Sequence, residues 1–523
     1  MKIKEIVKKS IVTAIMASML LTGCSFGNKA EEEAVVSEEE TVTYENSEDG
    51  GHAILADGET AEYSNATVLK TGDSEGDEAD FYGENAAVFA TNGANLTLSE
   101  MTITTDGTHA NAVFSYGEGT VVNISDSTIE TSGNCSGGIM TTGGGTMNAS
   151  NLTIHTIGRS SASIRSDRGG GTVTVNGGTY TTDGTGSPAI YSTADITVND
   201  ATLTSTASQG VVVEGKNSVT LNNVTLSADN NQHNSDKSDV YEAVMIYQSM
   251  SGDAATGLAE FSATGGSITN ANGDIFFVNN TATDITLSGV EITNNGGGAF
   301  LRAAAAGWGS EGSNGGKVNL TATSQTIDGD MIADDISILN LYLKEGSTFN
   351  GAINSDGAAG DVYVELTGDS KWVLTGDSYI TSLSCDSDSI NLNGHTLYVN
   401  GKAYTEGTAV TGEAIEITIS EDSGDSKQAP GGDSKPSKSG DSKSSDSKSS
   451  SSSSGSSDNT KEAPSQDENA PTPPDGEPPQ GGDAPTPPDG NMTTPPDGEP
   501  PEKPDGNSAP PDKPDGEQSA TSV

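Results

Sequence analysis

The sequence predicts an all-β chain wound as a parallel β-helix, and three observations carry that expectation. Over residues 41–420 a hydrophobic residue, a short turn of Ser, Asn, Asp or Gly, and a second hydrophobic residue five places on recur about every 25 residues. Gly fills 65 of the 523 positions, and all but one of the 20 Pro lie beyond residue 420, so the repeats are rich in turn formers and nearly free of strand breakers. Only 32% of the chain is hydrophobic and 5% aromatic, too little for a thick Leu-rich helical core.

In chain order, residues 1–23 read as an export signal. Lys2, Lys4, Lys8 and Lys9 precede an apolar stretch from Ser10 to Leu21 that is too short to be a permanent bilayer span. Leu21-Thr22-Gly23-Cys24 resembles a bacterial lipobox, which implies that Cys24 is lipidated and becomes the new N-terminus. Residues 24–40 then form an acidic linker. This address implies a lipid-anchored, extracytoplasmic protein on the cell membrane, held there through Cys24.

Residues 41–420 are the repeat region. The paired anchors are Tyr63 and Val68, Leu98 and Ile103, Ile124 and Ile129, Ala149 and Ile154, Val175 and Tyr180, Val198 and Leu203, Leu221 and Leu226, Ala263 and Ile268, and Leu287 and Ile292. A third strand per copy has Val88, Val113, Ile139, Ile164, Ile190, Val211, Val244 and Ile275 as its inward residue. Three short strands per copy bury their inward side chains only by stacking on the next copy, giving about 14 coils. A helical repeat fails because Thr, Val and Ile prevail without a 3.6 period, and a propeller blade needs about 40 or more residues. Cys135 and Cys385 then lie about ten coils apart, beyond the ~7 Å Cα separation that a disulfide tolerates. Residues 421–523 turn to Ser/Lys/Asp and Pro-Asp-Gly repeats without Ile, Leu, Phe, Tyr or Trp, a composition that predicts a disordered tail.

The run from Gly186 to Val198, with Trp372 to Tyr379 and Asn391 to Val399, resembles exported bacterial surface β-helices of the pectin-lyase-like superfamily. That group includes adhesins, autotransporter passengers and calcium-containing carbohydrate-binding β-helices. The resemblance, with the crossover rule, implies a right-handed winding; it speaks to fold far more than to activity, because this superfold hosts lyases, hydrolases and non-catalytic binders alike.

Twenty-four Lys+Arg against 75 Asp+Glu give a net charge of −51, which repels phosphate backbones and argues against nucleic acid as a partner. Metalloprotease, nucleophile-elbow and P-loop motifs are absent. Three local features carry possible chemistry. Asp73, Glu75, Asp77 and Asp80 form an acidic run that offers hard oxygens for calcium, against the plainer reading of a solvated loop. Arg165 and Arg168 flank Asp167, and the resemblance implies for them a lyase base beside a metal-binding acid; the plainer reading is that they offset nearby carboxylates.

The third feature is a pair of long insertions, Tyr247 to Glu260 and Leu301 to Lys317, that leave the same edge two coils apart and flank a gap of about 10 Å. Strand alternation places Phe89, Phe114, Met140, Tyr191, Met245 and Phe276 in an outward column on the third strand, with the coil of Phe276 between the two insertions. Phe276, Trp308, Tyr247 and Arg302 are therefore the expected ligand contacts, with Trp308 either stacking on sugar or capping the column. The leading functional expectation is a non-catalytic, monomeric surface lipoprotein that binds polysaccharide or a neighbouring cell surface as an adhesin. A calcium-assisted polysaccharide lyase and a ligand-free surface spacer are the alternatives.

Overall fold

A computed structural model describes residues 41–357 and 360–419; the export signal, Cys24, the acidic linker and the tail expected from the sequence lie outside them. These residues form a parallel β-helix. Its longest sheet has 21 strands and a second has 11, and nearly all neighbours within them run parallel. Through most of the rod two strands of a coil enter the long sheet and the third enters the eleven-stranded one, as with Asn95–Ser99, Thr102–Thr105 and Val113–Tyr116; from Thr326–Asp328 onward the second strand joins a separate four-stranded sheet.

The register follows the sequence repeat. Val68, Ile103, Ile129, Ile154, Tyr180, Leu203, Leu226, Ile268 and Ile292 are successive backbone partners. Tyr63, Leu98, Ile124, Ala149, Val175, Val198, Leu221, Ala263 and Leu287 form the second ladder. Apart from partly exposed Tyr63 and Ile292, these side chains are buried in one continuous apolar core, while the residues between them face out.

Each turn between the two long-sheet strands needs one residue with positive φ. Asn65, Asp126, Asn151, Asp200 and Asn223 supply it at 48–54°, a backbone that Asn, Asp and Gly adopt at least cost. Some of these side chains also bond between coils: the Asn151 amide donates to Asp126 at 2.8 Å and the Asn223 amide to Asp200 at 2.7 Å. At the corner leading to the third strand the backbones approach so closely that a Cβ on Gly133 would lie 1.9 Å from the Gly107 carbonyl oxygen. Ser136, Ser161 and Ser187 stack beside this corner, and each hydroxyl donates to a glycine carbonyl of the preceding coil. Their burial is thereby satisfied.

The third-strand ladder corrects the sequence reading at one coil. Val244 pairs with Phe276 and Met245 with Phe277, so the inward residue is Phe276, not Ile275. Phe276 is fully buried in the core against Phe261 and Phe300, and Phe277 takes the outward place. Phe276 follows the core residue Ile268 by eight positions, as Val211 follows Leu203, and with a period of two a difference of one residue exchanges the faces.

The outward column is covered and divided. Its first part, Phe89, Phe114 and Met140 with Ala86 and Tyr116, is one apolar cluster; Val212, Met245 and Phe277, with Tyr191, Tyr247 and Trp308 against them, is another. Arg165 sits between the two, pairing in register with Met140 and Tyr191. The insertion after the first coils forms α1 (Asp77–Tyr82), the one helix among the described residues. It lies beside the first cluster: Gly83 at its end leaves no room for a Cβ against the Phe89 ring, and the Thr142 hydroxyl donates to the Phe81 carbonyl at 2.7 Å.

Candidate ligand-binding cleft

The acidic run and the arginine cluster, read separately in the sequence, meet in space. Arg165 Nη2 donates to Asp80 at 2.9 Å and to Asp167 at 3.0 Å. Arg168 donates from Nη1 to Asp77 at 2.8 Å and from Nε to Asp253 at 2.6 Å, and its guanidinium lies 3.6 Å from the centre of the Phe81 ring. Burial opposes ionisation of Asp80, but Arg165 and His109 outweigh it and hold the carboxyl well below its usual range. Asp167 is pushed the other way, up to about 7, by burial and by its Asp80 neighbour against the pull of Arg165.

Asp73, Glu75, Asp77 and Asp80, expected from the sequence to share a calcium ion, take separate partners in this geometry. Asp77 and Asp80 turn to different arginines, Asp73 accepts the Thr108 amide at 2.7 Å, and Glu75 is exposed. The four do not come together as one cluster of metal-capable side chains in the described residues; of them only Asp80 belongs to such a cluster, with His109 and Cys135. Guanidinium groups pair with Asp77 and Asp80 of α1. Arg165, Asp167 and Arg168 are all buried and committed to ion pairs that tie α1 and the loop bearing Asp253 to the solenoid.

The two insertions do flank an open site. Strands Glu242–Tyr247 and Leu301–Ala303 lie on either side of Asp274–Asn279, and the segments after them form the walls of a cleft of about 750 Å³. Trp308, Lys237, Lys317, Gln248, Asn280 and Met250 are among its lining residues. The Asn280 amide donates to the Gln248 carbonyl at 2.7 Å and fastens one wall to the floor. Lys317 Nζ reaches the Thr418 carbonyl at 3.4 Å, which brings the end of the described chain to the rim.

Trp308 is half-buried and packs edge-on against Tyr247, with ring centroids 5.1 Å apart. It closes over the Met245 and Phe277 cluster and also faces the cleft. Tyr247 and Tyr191 both donate their hydroxyls to one oxygen of buried Glu214, and the Ser249 hydroxyl donates to the other. Burial, reinforced by Glu214, raises both phenols well above their ordinary range, so they stay protonated as donors.

No family model matches the chain, and no curated protein or solved structure does.

Two expected ligand contacts stand elsewhere. Arg302 is held by Asp274, with Nε at 2.6 Å from the carboxylate, and does not line the cleft. Phe276 is inside the core, as its register requires. Lys237, Lys317, Gln248 and Asn280 line the cleft instead; Lys237 lies ahead of the first insertion and Lys317 is the last residue of the second, where spacing alone gave no reason to single them out.

Beyond Trp308 a smaller recess of about 120 Å³ is lined by Tyr191, Gln209 and Glu242 among others. Glu242 is 2% exposed and accepts a hydrogen bond from Gln209 at 2.7 Å. Burial pushes its carboxyl from an ordinary value of 4.5 up to about 8. The folded chain therefore keeps a proton that the unfolded chain releases across this window, so this group's contribution to stability is full below pH 4.5 and lost as pH rises through 8. Denaturation midpoints should fall between those limits in the native chain, and the slope should flatten in Glu242→Gln.

Proposed function

We propose that this protein is an exported, lipid-anchored β-helix that binds an uncharged polysaccharide without cleaving it, in the cleft between the two edge loops. The observation that carries the reading is Trp308, half-exposed on one wall beside Gln248, Asn280, Lys237 and Lys317. Sugar rings offer C–H faces to aromatic rings and hydroxyls to amides and ammonium groups, and this lining provides both. The cleft volume is also within the range of about 300–1,000 Å³ usual for ligand sites. A net charge of −51 favours an uncharged chain over a polyanion at long range. Anchorage through Cys24, and kinship with pectin-lyase-like surface β-helices, rest on the sequence motifs. The lyase alternative would need a free base, whereas Arg165 and Arg168 are each held by two carboxylates.

A glycan array probed with the purified chain tests this. Binding to uncharged polysaccharides should appear, change little with added salt, and weaken several-fold in the Lys237→Ala, Lys317→Ala double variant. Binding to no glycan would overturn the proposal, and release of unsaturated uronide ends from an acidic polymer would establish the lyase instead.

A further inference from the structure

We propose that Asp80, His109 and Cys135 form a zinc site that clasps α1 to two successive turns of the solenoid. The ligand atoms of these three side chains all lie within 4.8 Å of one another, and His109 Nδ1 is 3.5 Å from Asp80 Oδ1. Tetrahedral zinc with bonds of about 2.0–2.3 Å needs its ligands roughly 3.4–3.8 Å apart, so only a small contraction separates the cluster from a coordination shell. A thiolate, an imidazole and a carboxylate make a borderline-soft donor set that suits zinc and not calcium.

The backbone supplies an independent reason to single out these residues. His109 and Cys135 occupy the same corner of adjacent coils, and the His109 amide donates to the Asn134 carbonyl at 2.9 Å. Their φ values are 55° and 54°, and the corresponding corners of the next two coils hold Ser160 at 55° and Gly186 at 65°. That conformation favours Gly, Asn or Asp, and a histidine and a cysteine in adjacent copies accept it at a conformational cost. One coil of separation, about 4.8 Å, sets their side chains next to each other. Asp80 reaches them from α1, which Asp77 also fastens through Arg168.

Polar groups around the cluster are incompletely used. His109 Nδ1 is buried and makes no hydrogen bond, the Asp80 contact being too long. Asp80 and the Cys135 sulfur face it, so a metal ion among the three would take up the unused nitrogen. Arg165 does not forbid this. It donates to Asp80 Oδ1, the oxygen that also faces His109, and leaves Oδ2 to a metal ion; carboxylates that hold a metal are commonly hydrogen-bonded in this way, and Asp167 pairs with the same guanidinium. A zinc ion with one thiolate and one carboxylate is itself neutral.

Cobalt substitution tests the site in the full chain after treatment with a chelator. One equivalent of Co²⁺ should bind and produce thiolate-to-cobalt charge-transfer absorption. Cys135→Ser and His109→Ala should abolish that absorption, whereas Cys24→Ser and Cys385→Ser should retain it. Zn²⁺ should displace the cobalt and slow alkylation of Cys135 in the native chain, a readout that needs no variant to fold. Absence of the charge-transfer band, its survival in Cys135→Ser, or unchanged alkylation with Zn²⁺ present would each overturn the proposal.

Discussion

Arg165→Ala should destabilise the first half of the solenoid by about 3–5 kcal/mol, the usual cost of removing one partner from a buried ion pair. The guanidinium is 8% exposed and separates two carboxylates, Asp80 and Asp167. Without it Asp80 loses its main cationic partner, and α1 loses one of its two arginine ties. Stability in a solenoid is nearly a sum of local terms, so the loss should concentrate there. Amide exchange should quicken in α1 and in the turns beneath it and stay unchanged near Trp372. Replacing Arg165, Asp80 and Asp167 together by apolar residues should recover much of the loss, because no charge is then left unpaired. A cost below about 1 kcal/mol for Arg165→Ala would mean that water, not the guanidinium, satisfies these carboxylates.

Trp308→Ala should lower glycan affinity at least tenfold and also cost about 1–2 kcal/mol of stability, the burial term for part of a large ring. Both effects are expected because one face of the indole covers the Met245 and Phe277 cluster while the other borders the cleft. Trp308→Leu separates them. Leucine restores an apolar cover but offers no ring to a sugar, so stability should return while affinity stays low. Calorimetric titration with the best array ligand, alongside thermal melts, reads both. Affinity restored by leucine would reduce Trp308 to a cap and remove the main support for the cleft as a carbohydrate site.

The sequence by itself determined the coil. Paired anchors such as Leu98 and Ile103 or Val198 and Leu203, spaced by a turn of Asn, Asp or Gly, specify two inward side chains and one positive-φ residue per copy. Stacking is the only way to bury such anchors, so the ladder can be read without coordinates. The edge position of the two insertions was legible for the same reason, since a loop must leave from where its strand ends. Tertiary structure alone decided what covers the outward face. A difference of one residue in phase exchanges the faces of a strand, and the ladder with Val244 and Met245 places Phe276 inward and Phe277 out. Contacts between distant insertions carry no periodic signal either. Asp77 and Asp80 find Arg168 and Arg165 across about 90 residues, and Arg302 finds Asp274, because burial forces each charge to take the nearest opposite one. Sequence shows that such charges exist; only packing pairs them.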